Sequence, residues 1–307
     1  MTIDKEFYNK SSAANLGWSP SWFGEYSFDE SLTRAVKRWQ KENHLSADGL
    51  VGPMTFRRIY TEREANIHMY TPKGETCGGD NFIIYNSRPI PIDWEVVLWS
   101  EPHGLRTPEG NYRPHIGGDR EIDFFVNHWD VCLSSESCSR VLDKRGISVH
   151  WCIDNDGIIY QLLDANHIAW QAGGRGINKR SLGVEISNAY YTKYDRWYER
   201  NGFGKRPRVT DAKCHGRTLP EHLGFYPVQI EALKALWGAV HRGMGVPLDV
   251  PTNEKGELID TVVPDCLSKG KYKGFVNHYN LTRNKIDCAG LDMLGILSDV
   301  KENERRR

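Results

Sequence analysis

The chain reads as an α/β protein with a central mixed β-sheet flanked by helices, preceded by a small helical domain. Three observations predict this: a helical period in the first sixty residues, a Pro/Gly-rich break after it, and short β-rich runs interleaved with helices from residue 81 onward. At the N-terminal end, Leu32, Ala35, Val36 and Trp39 recur at helical spacing with Arg34, Lys37, Arg38 and Lys41 turned outward, which predicts a helix over 28–44 with Asp29 as its N-cap. Ser46-Ala47-Asp48-Gly49 forms a turn, and Pro53 after Gly52 starts a second short helix over 54–60. Residues 63–80, with Pro72, Gly74, Gly78 and Gly79, form the linker.

Beyond it, 82–85, 124–127, 148–153, 158–162 and 183–186 are strand candidates, with Asp154-Asn155-Asp156-Gly157 as a hairpin turn between two of them. Ile230, Leu233, Leu236, Trp237 and Val240 place a packing helix over 228–243. The charged end, 301–307, is expected to be frayed, and the Gly-, Pro- and Arg-rich stretch 94–122 reads as an insertion without an assigned role.

Composition narrows the function. Lys plus Arg and Asp plus Glu both number 40, so no global field draws the chain to nucleic acid or anionic lipid, and neither is expected as a partner. Ten Trp and fourteen Tyr exceed what a core of this size needs and suit clefts that stack on sugars or peptides. No run reaches the length of a membrane span, and the first residues lack the apolar stretch of a secretory signal; the expectation is a soluble monomer made in the cytoplasm. Seven scattered cysteines read mostly as reduced thiols, open to metal binding.

A hydrolytic metal site needs three protein ligands and one open position. Phe125-Val126-Asn127-His128 ends an apolar strand with a histidine; Phe275-Val276-Asn277-His278 repeats the arrangement, and Lys285-Ile286-Asp287-Cys288-Ala289-Gly290 follows. Two strand-end imidazoles and a following thiolate suit tetrahedral zinc.

Two resemblances sharpen this reading. Ala35-Val36-Lys37-Arg38-Trp39-Gln40, then Leu45, then Asp48-Gly49-Leu50-Val51-Gly52-Pro53-Met54-Thr55-Phe56, resembles the three-helix peptidoglycan-binding domain family over residues 12–62. From residue 82 to 300 the chain resembles the type-2 N-acetylmuramoyl-L-alanine amidases, which share their fold with peptidoglycan recognition proteins. The densest matches are Ser148 to Leu162, His167-Ile168-Ala169-Trp170-Gln171-Ala172-Gly173, and Gly183-Val184-Glu185-Ile186. The catalytic domain is accordingly set at 81–303.

The resemblance implies His128 and His278 as zinc ligands. For the third ligand two neighbours compete: Cys288 is favoured, because thiolate binds zinc strongly and the residues after it fit, while Asp287 sits in a Lys-x-Asp pattern with Lys285. Glu185 is implied as the proton-transferring carboxylate and Lys285 as the oxyanion stabiliser. Val149 stands where many members carry tyrosine. His167, Trp170, Asn188 and Trp151 are expected near the substrate, and His150 as structural. The activity implied is hydrolysis of the amide between N-acetylmuramic acid and L-alanine. With a wall-binding module and no signal, the whole resembles a bacteriophage endolysin that reaches the wall after a holin opens the membrane. A metal-free recognition protein and a zinc peptidase cutting within the stem peptide are the alternatives.

Overall fold

A computed structural model describes residues 3–67 and 80–307. Most of the expected linker, and Cys77 with it, lies outside these residues.

The N-terminal unit consists of α1 (Lys5–Leu16), α2 (Glu30–Glu42) and α3 (Pro53–Ile67) around Ala13, Leu16, Trp18, Leu32, Val36, Val51 and Phe56. Asp29 caps α2 as expected, accepting from the Ser31 and Leu32 amides at 2.9 and 3.2 Å. Two features depart from the sequence reading. A helix precedes residue 12, and Asn9 on it ties the unit together by donating to Gly49 O at 3.0 Å and accepting from Val51 N at 2.9 Å. The second helix runs on to Ile67, well past the expected end of the domain.

The larger unit holds β1 (Asp80–Tyr85), β2 (Arg88–Leu98), β3 (Tyr112–Arg113), β4 (Phe124–Trp129), β5 (Trp151–Ile153), β6 (Ile159–Gln161), β7 (Ile168–Ala169) and β8 (Ser181–Ile186). The two-residue strands β9 (Arg208–Val209), β10 (Lys213–Cys214), β11 (Arg217–Thr218) and β12 (His222–Leu223) precede β13 (Gly274–Asn277). Its helices are α4 (Ser135–Lys144), α5 (Arg175–Asn178), α6 (Asp195–Arg200), α7 (Pro227–Met244), α8 (Pro264–Leu267) and α9 (Met293–Arg306). Seven strands form one mixed sheet in the order β1-β2-β6-β5-β8-β4-β13, the last four neighbours being parallel.

Side-chain alternation sorts the two faces. Phe125, Trp129, Trp151, Ile153, Leu182, Val184 and Ile186 join α7 and α9 in the main core, and Cys152, Tyr160 and Val149 join α4 on the opposite side. The stretch read as an insertion is in part sheet: Trp94 lies in β2, with its indole donating to Gly157 O at 2.7 Å. The charged tail is not frayed. It is the last turn of α9, where Glu304 pairs with Arg242 of α7.

Candidate metal centre and cleft

The repeated Phe-Val-Asn-His segments explain the site. β4 and β13 pair in parallel with Phe275 opposite Phe125, Val276 opposite Val126 and Asn277 opposite Asn127. One step further, His278 must lie beside His128 on the same face, and the two ring centroids are 4.5 Å apart. The intervening asparagines point the other way, where Asn127 donates to Val276 O at 3.1 Å and accepts from the Trp237 indole at 3.2 Å. β8 pairs with β4 so that Glu185 is opposite His128.

After β13 the chain turns in a single 3₁₀ turn and folds back, with Tyr279 N donating to Asp287 O at 3.1 Å and His215 Nε2 holding Lys285 O at 2.8 Å. This return brings Asp287 Oδ2 to 3.0 Å from His128 Nδ1 and 3.1 Å from His278 Nδ1. All three side chains are buried, and their ligand atoms lie within 4.8 Å of one another.

The hydrogen bonds around His128 fix what this trio can do. Gln171 directs its amide nitrogen to Ser181 Oγ at 2.8 Å and Leu182 O at 3.1 Å, so its Oε1 faces His128 Nε2 at 2.5 Å. Oε1 only accepts, so Nε2 carries a proton and the Nδ1 of a neutral ring presents a lone pair to a carboxylate oxygen. Two facing lone pairs require a cation between them, either a proton or a metal ion. Gly183 leaves the space for this arrangement, since a Cβ there would stand 2.6 Å from Gln171 Oε1.

Burial opposes the charge on Asp287, yet the two imidazoles hold its carboxyl well below the usual carboxylate range. Burial lowers His278 to about 4. Burial also lowers His128, but its bond to Asp287 and the field of Glu185 carry it above its ordinary value. Glu185 keeps some surface, but its Oε2 is shielded and lacks a hydrogen-bond partner among the described residues, and burial raises its carboxyl against the pull of His128. Burial lowers Lys285 as well.

Several expected site residues stand elsewhere. Cys288 is not beside the imidazoles. Its side chain is fully buried among Tyr279, Leu291 and other core residues, and burial lifts its thiol far above the ordinary range. The third atom at the centre is the Asp287 carboxylate. Trp151 is 0% exposed and stacks on Phe125 in the core, because strand alternation sends it away from the face of His128. Asn188 is consumed by backbone, donating to Leu223 O and Gly224 O and accepting from Tyr190 N. His167 stacks on Tyr112 and accepts from His115 N, so it anchors the 94–122 stretch and not the cleft. Trp170 remains partly exposed one residue from Gln171 but does not line the cleft. Gln171 itself was missed. Its one sequence signal was its place inside the Ala-Trp-x-Ala-Gly motif.

The cleft at the trio, about 130 Å³, is lined by Trp129, Val131, Tyr190, Tyr191 and Asn284 to Asp287 on one bank. On the other bank stand Leu45, Met54, Arg57 and Arg58 of the N-terminal unit. A larger groove of about 930 Å³ beside Arg113, Lys179 and Lys269 contains none of the trio. The two units are fastened along α3. Thr61 Oγ1 donates to Val131 O at 2.9 Å, Lys193 pairs with Glu62 at 2.8 Å, and Arg58 lies 3.4 Å over the Tyr191 ring. Glu64, buried, pairs with Arg140 at 2.5 Å and accepts from Ser137, while Arg140 also donates to Tyr60 OH at 3.1 Å.

Removing that carboxylate leaves Ser137 and Arg140 without their shared acceptor, which costs about 1–3 kcal/mol. Calorimetry of Glu64→Ala is expected to show a lower melting temperature and earlier release of the N-terminal unit; a single unshifted transition would show that the fastening contributes nothing.

Residues 118–264 match the family model described as N-acetylmuramoyl-L-alanine amidase, and residues 25–59 match a putative peptidoglycan binding domain. The first match contains His128 and Glu185 and ends before His278 and Asp287. No curated protein matches the chain. Among solved structures, the chain is similar to the amidase AmiD of E. coli in complex with anhydro-N-acetylmuramic acid-L-Ala-D-gamma-Glu-L-Lys, at 18% identity and a TM-score of 0.37, covering 62% of this chain and 61% of that one. It is similar to the endolysin amidase LysCS from Clostridium intestinale at 14% identity and a TM-score of 0.37, covering 67% of this chain and 95% of that one. The Ph2119 endolysin of a Thermus scotoductus bacteriophage matches at 16% identity and a TM-score of 0.35, covering 67% and 98%. Among the described residues no helix is long and apolar enough to cross a membrane.

Proposed function

We propose, from a chain that carries an N-acetylmuramoyl-L-alanine amidase domain over residues 118–264 and a putative peptidoglycan binding domain over 25–59, that the protein hydrolyses the amide joining N-acetylmuramic acid to L-alanine in peptidoglycan, with zinc as its metal. The observation that carries the proposal is the convergence of His128 Nδ1, His278 Nδ1 and Asp287 Oδ2, with Glu185 opposite His128 on the neighbouring strand.

These residues fit zinc. Two neutral imidazoles and one carboxylate form the three-ligand set that a catalytic zinc site uses, and Gln171 orients His128 from behind as outer-shell partners do. When bound there, zinc supplies Lewis acidity to the attacking water and to the amide carbonyl. Glu185 takes the proton of the attacking water: its raised affinity for protons and its unpartnered Oε2 suit a group that accepts a proton and then releases it to the leaving alanine amine. Lys285, two residues before Asp287 on the same cleft wall, carries the positive charge that stabilises the developing oxyanion. The N-terminal unit holds the enzyme to its insoluble substrate, a pairing that suits an endolysin acting on a host wall.

The intact trio favours this reading over a recognition protein that has lost its metal. Digestion of purified walls decides between an amidase and a stem peptidase. Mass spectrometry is expected to find new alanine amino termini and lactyl-bearing glycan strands free of peptide; new termini at any other stem residue would replace the amidase by a peptidase.

A further inference from the structure

The N-terminal unit does more than tether. Its helix α3 forms one bank of the metal cleft, and the cation it places there, Arg57, is uncommitted. Arg58 beside it lies over the Tyr191 ring and reaches Asn43 Oδ1 at 3.4 Å; its Nε and Nη1 are also without partners among the described residues, but its guanidinium is fixed against the ring. Arg57 is half-buried, and its Nε is out of solvent with no hydrogen-bond partner among the described residues. Its charge is near enough to act on Glu185, Lys285 and Arg145. Glu185 is near enough to share its field but is not bonded to it, so among the described residues the guanidinium has a buried donor and no acceptor.

The size of the cleft limits what an anionic acceptor there belongs to. Pockets that enclose a whole drug-sized ligand run to roughly 300–1,000 Å³, and this one holds about 130 Å³. It admits one or two peptide residues next to the scissile amide, with the glycan outside. On the peptide side, the first free carboxylate belongs to the acidic second residue of the stem, and amidation of that residue removes it. An arginine fork matches a carboxylate through two parallel bonds, and so reads its presence as well as its charge.

We infer that Arg57, supplied by the wall-binding unit, is a substrate-holding residue that binds the free carboxylate of the second stem residue and makes the enzyme selective for non-amidated stems. This rests on the amidase reading. The α3 fastening through Thr61, Glu62 and Glu64 keeps the helix that carries Arg57 beside the cleft without substrate.

The test uses the full chain and two soluble N-acetylmuramoyl peptides that differ only in a D-isoglutamate or D-isoglutamine second residue. For the unaltered protein, kcat/KM is expected to favour the acid. In Arg57→Ala that preference is expected to fall about tenfold or more, mainly through KM, as suits the loss of a charge-assisted bond. Arg57→Lys, which keeps the charge but not the fork, is expected to fall between. Equal losses on both substrates, no loss on either, or a gain in rate on both would each overturn the inference; the last would mean that α3 merely covers the cleft. If neither substrate is cleaved by the unaltered protein, the amidase reading fails instead. Calorimetric titration of both peptides into the unaltered protein and into Arg57→Ala then still reports whether Arg57 distinguishes them.

Discussion

Asp287→Ala is expected to empty the metal site and abolish wall lysis, while Cys288→Ala leaves both intact. The two residues are adjacent, so the pair separates a ligand from its neighbour with the same backbone environment. Asp287 Oδ2 is the atom that faces both imidazoles, at 3.0 and 3.1 Å, whereas the Cys288 side chain is enclosed by core residues. Without Asp287, two imidazoles remain, short of the three protein ligands a catalytic zinc site uses. The buried imidazoles also lose the negative charge that offsets a cation between them. Metal content per chain after dialysis, measured by plasma mass spectrometry, should fall from near one to near zero for Asp287→Ala and stay near one for Cys288→Ala. Cys288→Ala removes one buried sulfur from a packed core, at a cost of roughly 1–3 kcal/mol in stability. It should therefore melt earlier while lysing walls at close to the normal rate below its transition. A metal-free Cys288→Ala beside a metal-loaded Asp287→Ala would reverse the assignment.

The choice between these neighbours marks the border of what the sequence made legible. The two Phe-Val-Asn-His segments announced paired strands ending in histidines, because a parallel register is enough to bring identical positions together. Nothing local announced which way the following loop turns. That depends on Tyr279 N meeting Asp287 O and on His215 holding Lys285 O, contacts made by residues far apart in the chain. Weighing thiolate against carboxylate by metal softness answered a chemical question where the backbone path decides. Trp151 and Asn188 were misplaced for a related reason: a motif match says that a residue is near the site in sequence, whereas strand alternation and backbone bonding decide which face it serves. Strict alternation between Trp151 and Ile153 was a usable signal for the first. The α3 bank of the cleft had none. Arg57 and Arg58 fall in the short helix expected over 54–60 and Glu64 in the expected linker, and Val131, Ser137, Arg140 and Tyr191 on the facing unit carry no periodic mark of an interface.

Glu185→Gln is expected to cut turnover by about 10²–10⁴-fold while the protein keeps its metal and its fold. The substitution preserves shape and removes only the ability to take and return a proton. Its consequences differ from those of Asp287→Ala because Glu185 is not among the three atoms that converge; it sits opposite His128 on β8 with Oε2 unpartnered. A shielded carboxylate without a bonded partner is a stability cost, since burial raises its affinity for a proton and the charged form lacks solvation. Exchanging it for a neutral amide should therefore leave the melting temperature unchanged or slightly higher, the opposite of what loss of a structural residue does. Binding of uncleaved muropeptide should persist, so KM moves little while kcat collapses. Lys285→Ala should lower kcat by about 10²–10³ if its charge meets the oxyanion, again with metal retained. The decisive comparison is lytic rate against metal content for Glu185→Gln: a fully loaded protein that lyses walls as fast as the unaltered chain would move the proton transfer to another group and leave Glu185 a buried strand residue without a catalytic part.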